Sequence, residues 1–151
     1  MPLKPDSFVI ARATDLLPGA IFTTGGNWFM HALVFRNYAP AHAAVALTFK
    51  GATTFIRGEM GVTLAPRLKT DFRVIGPIQG PGTPPPASIA WTDADEPVIV
   101  AEESLITFAG AESSAINRHE GFYATHWGVW VLDAEGKEVD REPLFVVGAE
   151  A

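Results

Sequence analysis

Residues 121–147, GFYATHWGVWVLDAEGKEVDREPLFVV, constrain the fold more than any other stretch of the chain. Two runs rich in aromatic and β-branched residues, 122–132 and 138–147, flank Asp133-Ala134-Glu135-Gly136-Lys137. That pattern predicts a C-terminal β-hairpin over 122–147, with Gly136 in a left-handed conformation. Pro143 has no amide hydrogen, so the returning run belongs at a sheet edge or carries a bulge there. On a continuous extended backbone Phe122, Ala124, His126, Gly128, Trp130 and Leu132 share one face, and Tyr123, Thr125, Trp127, Val129 and Val131 the other. Each face then receives one tryptophan, with Trp130 expected in the core and Trp127 covering a second layer or a subunit interface.

Upstream segments carry the same extended signature. Residues 8–13 and 20–24 read as short strands separated by Asp15, Pro18 and Gly19. The run WFMHALVF, residues 28–35, has apolar side chains at both parities, so a strand there wants cover on both faces. Asn37 and Pro40 are expected to end it and to leave His42 in a solvated loop. AAVALTFKGATTFIRG reads as two strands around Gly51. In LKTDFRVI, Leu68, Thr70, Phe72 and Val74 oppose Lys69, Asp71 and Arg73, which predicts one wet face. Residues 87–91 form a short strand ending at Trp91. In 92–108 a rough helical spacing competes with Val98-Ile99-Val100, and β-branching favours two strands.

GPIQGPGTPPPAS, residues 76–88, is the exception. Five prolines remove backbone donors while three glycines admit unusual backbone angles. It reads as an irregular outer crossover, with an extended recognition arm as the other reading. Together the segments predict a single β-rich domain over residues 1–151, built from roughly eight to ten short strands. The expected fold is all-β, a mainly antiparallel β-sandwich, because the segments are uneven and several have clear wet faces, with a distorted barrel as the alternative.

A hydrophobic content of 48%, with ten Phe and four Trp, supplies enough apolar surface to offset chain entropy in a chain of 151 residues. A formal charge of -6 without a dense basic run argues against nucleic acid and against an anionic membrane surface. With no Cys, thiolate chemistry and disulfides are absent. No signal peptide or spanning segment is recognisable, so the chain reads as soluble with its compartment unspecified.

Catalytic and metal signals are weak. His119, Glu120 and His126 lie near one another without a recognised ligand spacing, and no metal or cofactor is expected. His31, inside an apolar run, reads as a hydrogen-bonded core or interface residue. Ser113-Ser114 lacks a nucleophile elbow, and Glu102-Glu103 on a strand points to opposite faces. The glycines of 58–61 and 76–82 complete no phosphate loop.

The leading expectation is therefore a non-enzymatic structural or protein-binding module acting in a homo-oligomer or larger assembly, for which a filament, shell, appendage or virion component are all suitable uses. Phe29, Trp91, Tyr123, Trp127 and Trp130 are its candidate binding or interface anchors, and Pro84, Pro85 and Pro86 stiffen the loop. A second expectation is a small-ligand or carbohydrate-binding domain in which Tyr123 and Trp127 give contact area and Asn27, His31 or Glu120 orient the ligand. A third is a small hydrolase or lyase using the His/Glu cluster of His119, Glu120 and His126.

Overall fold

The computed structural model describes residues 8–12, 15–24, 26–36, 39–48, 54–55, 62–92, 96–101, 105–112 and 121–148. These residues form an all-β fold of fourteen strands in three antiparallel sheets, with no closed barrel and no α-helix among them. The first sheet is ordered β1 (Phe8–Arg12), β6 (Val62–Pro66), β2 (Ile21–Thr24), β3 (Asn27–Arg36), β4 (Ala39–Ala46) and β5 (Thr54–Phe55). The second is β11 (Leu105–Thr107), β10 (Pro97–Val100), β9 (Ile89–Trp91), β12 (Gly121–Ala124) and β8 (Gln79–Gly82). The third is β14 (Phe145–Val147), β13 (Trp127–Leu132) and β7 (Lys69–Val74).

Packing follows from side-chain parity. On β3 Met30, Ala32 and Val34 enter the main core, together with Ala43 and Val45 of β4. Ile89, Ile99 and Ile106 enter it from the second sheet, and Trp127, Val129, Phe145 and Val147 from the third. Trp28 stacks on Phe145 at 4.8 Å and 7°, joining the first sheet to the third. The odd residues of β3 face the other way, where Phe29 stacks on Phe22 at 5.6 Å and joins a smaller cluster with Ala44, Ala65, Val9 and Leu16. The expected double cover of the 28–35 run is therefore present. The second sheet also has a covered outer face, where Tyr123 packs on Ala90, Val98, Val100 and Leu105.

Three boundaries differ from expectation. First, β4 begins at Ala39 and runs through Pro40, so His42 lies on a strand and not in a loop. Pro40 pairs with Phe35 of β3, and among the described residues β5 pairs with β4 at Ala43 and Ala44; a proline costs a ladder bond only on the side its missing amide hydrogen would face. Second, the 76–88 crossover contains β8, a four-residue edge strand paired with β12 alone. Third, the 122–132 run is two strands in different sheets. The break falls at Thr125-His126, where the His126 carbonyl accepts hydrogen bonds from both Ile75 and Gly76 amides, so the parity of Phe122 and Tyr123 does not continue into Trp127.

The hairpin itself spans β13 and β14. Gly136 has φ +82°, and the Asp133 carboxylate accepts the Glu135 and Lys137 amides. The returning chain pairs at Val139 and again at Leu144, which donate to the carbonyls of Val131 and Val129, and between them residues 140–143 leave the ladder. Pro143 thus sits both at the edge and at a bulge, as its missing donor requires. Within 92–108 the described residues include β10 and β11, in favour of the β-branched signal.

Candidate functional site

Within β13 the two tryptophans do occupy opposite faces, but with exchanged roles. Trp127 is fully buried in the main core, 5.5 Å from Phe72 in a stacked arrangement, and its indole N–H donates to the Ala87 carbonyl at 2.8 Å. Ala87 has φ +69°, a conformation that costs a residue with a β-carbon about 1–2 kcal/mol and needs such support. Trp130 is half-buried on the outer face of the third sheet, where it donates to the Arg141 carbonyl and lies 5.0 Å beneath the Arg73 guanidinium. The exchange follows from the break at Thr125-His126, which resets which parity meets the core. A fully enclosed Trp127 offers no contact area to a carbohydrate.

Arg73 is ion-paired with Glu138 and with Asp71, the latter at 2.7 Å. Those two carboxylates, Glu138 first, raise the guanidinium above its usual value. With its charge matched twice, this end of the sheet is a local ion-pair network and not a free cationic patch.

The remaining candidates are dispersed. Phe29 is half-buried on the outer face of the first sheet, Trp91 is half-buried at the end of β9, and Tyr123 is half-buried on the outer face of the second. Pro84 is buried, whereas Pro85 and Pro86 are exposed. His126 is half-buried, with its Cβ 2.9 Å from where a β-carbon on Gly76 would stand. His119 and Glu120 lie outside the described residues. No group of three His, Asp or Glu side chains is placed to hold a metal among the described residues, and no helix there is long and apolar enough to cross a membrane.

Two features were not anticipated. The first is a rim of exposed apolar side chains: Phe122 is 54% exposed and Ile78 58%. Tyr123 pairs with Gln79, and the register shifts between Gly121 and Tyr123, so Phe122 stands at a bulge of β12 and Ile78 just ahead of β8, on adjoining segments at the edge of the second sheet. The second is an imidazole pair. His31 of β3 is fully buried, and its Nε2 lies 2.7 Å from Nδ1 of His42 on β4, with the rings stacked at 4.9 Å. Burial, and then the charge of His42, lowers the His31 pKa from 6.5, while the Leu16 and Leu17 carbonyls act in the opposite direction. Sequence alternation from Ala39 to Leu47 carries the signal for this pair once Pro40 is allowed inside a strand.

No protein-family model, no curated protein and no solved structure matches the chain.

Proposed function

We propose that the chain is a non-enzymatic β module that acts by surface contact, through self-association within a homo-oligomer or larger assembly. The observation that carries this reading is the apolar rim formed by Phe122 and Ile78. Single exposed apolar residues are ordinary on a protein surface, but an aromatic and a branched aliphatic side chain exposed on adjoining segments of one sheet edge gain from being covered. Aromatic anchors of this kind contribute disproportionately to binding when a partner excludes water from them. The stretch Gln79–Gly82 behind the rim contains Pro81 and two glycines and carries no charged side chain, so little desolvation opposes the contact.

Sedimentation velocity over a range of protein concentrations tests this reading. The wild-type chain is expected to sediment as a multiple of its 16.2 kDa mass. The double variant Ile78→Ser, Phe122→Ser should keep its fold, because both side chains already face solvent, and should shift to the mass of one chain. A wild-type protein that stays at one chain's mass throughout, or a double variant that associates as well as the wild type, overturns it.

A further inference from the structure

The His31–His42 pair lies away from the rim and has no part in the proposed contact. Leu33 pairs with His42 and His31 with Ala44, so the two imidazoles are diagonal neighbours on the face of the first sheet opposite Met30 and Ala32. Residues 15–20 fold back against this position. The His31 amide donates to the Ala20 carbonyl at 2.9 Å, and the Gly19 amide donates to the His31 carbonyl at 2.7 Å. Leu16, in the same segment, packs on the cluster of Phe22, Ala44 and Ala65. Nδ1 of His31 has no hydrogen-bond partner of good geometry among the described residues.

We propose that the stacked His31–His42 pair is a proton-operated latch that holds residues 15–20 beside His31, with Leu16 on the outer apolar cluster of the first sheet, and releases them when both rings are protonated. A gap of 2.7 Å between Nε2 and Nδ1 accommodates one hydrogen, donated by one ring and accepted by the other. Two imidazolium rings would place two N–H groups against each other there, with like charges stacked and one of them on the fully buried His31. The acidic residues of the segments packed against this strand are Asp15, which is exposed, and Glu112, beyond Gly110. Among the described residues, the charge that acts on the His31 ring is that of His42.

The direction of the effect follows from linkage. His31 holds its proton less well in the closed state than in an open chain, so its contribution to closure is complete above about pH 6.5 and is lost as the pH falls below that value. Each proton taken up only on opening raises the opening constant up to about tenfold per pH unit in this range. Release uncovers the neighbours of Leu16, including Phe22 and Phe29.

Amide hydrogen exchange between pH 7.5 and 4.5, corrected for intrinsic exchange, reads this directly. The Gly19 and His31 amides are expected to open progressively more below about pH 6.5, up to tenfold per unit. The Leu144 amide, bonded to Val129 in the third sheet, should not follow them. In His31→Gln the slope should vanish. Should that variant fail to fold, NMR titration of the wild-type ring decides, with His31 expected to stay neutral until the Gly19 amide opens. Flat protection at Gly19 and His31, parallel opening of Leu144, an unchanged slope in His31→Gln, or a fully charged His31 beneath protected amides would each overturn the latch.

Discussion

Replacing Trp127 by alanine is expected to lower folding stability by about 3–5 kcal/mol, the range for emptying a large aromatic site in a packed core. The indole is fully enclosed in the core that the three sheets share and stacks on Phe72. Its removal also leaves the carbonyl of the left-handed Ala87 without its indole donor, the bond from the Ala87 amide to the Val100 carbonyl remaining. Trp127→Phe retains the ring stack and loses the hydrogen bond, so it should cost less, about 1–3 kcal/mol. Urea unfolding followed by circular dichroism measures both. With a slope near 2 kcal/mol per molar, the alanine variant's midpoint falls by roughly 2 M. A midpoint within about 0.5 M of wild type would mean that the indole is not enclosed as described.

Gly110→Ala is expected to be as disruptive for a different reason. Gly110 is buried at φ +83°, donates to the Thr107 carbonyl and accepts from Leu33, and so is held from both sides. A β-carbon added there would stand 2.1 Å from the Gly19 nitrogen, 2.6 Å from the Pro18 carbonyl carbon and 2.8 Å from the His31 oxygen. All three are backbone atoms, so no side-chain rotation relieves the clash. The left-handed conformation costs about 1–2 kcal/mol and the forced displacement about 1–3 more, together about 3 kcal/mol. Gly136 is the control, because it has nearly the same φ, +82°, with nothing within 4 Å of the added carbon. Gly136→Ala should therefore cost only the conformational part. In thermal denaturation the two variants should differ by roughly 4–8 °C, with Gly110→Ala the lower. Equal melting temperatures would refute the crowding at Gly110.

The strands were legible where period-two alternation was uninterrupted. Phe72 and Val74 face the core while Asp71 and Arg73 pair on the outer face, as their alternation requires. Pro143 marked an edge and Gly136 a left-handed turn, both properties of a single residue acting locally. What escaped was decided by contacts distant in sequence. Nothing in THWG announces that the His126 carbonyl will capture the Ile75 and Gly76 amides, yet that capture ends β12 and exchanges the surroundings of Trp127 and Trp130. The imidazole pair was missed because Pro40 was read as a stop. A proline disturbs a strand only on the one side its missing amide hydrogen would face, and what lies on that side is a property of the sheet. The Phe122 rim depends in the same way on β8, whose partner β12 lies some forty residues further along the chain.

The composition of that edge strand also limits how copies of the chain can join. Gln79–Gly82 is four residues long, with Pro81 lacking an amide hydrogen, and so is a poor template for adding a foreign strand. Growth of a continuous intermolecular ladder, the route to fibrils, is thereby discouraged at the side of the second sheet where sticky side chains are exposed. On the proposed reading, copies meeting at Phe122 and Ile78 would do so through side chains, and a two-fold contact of that kind would close on itself and not propagate.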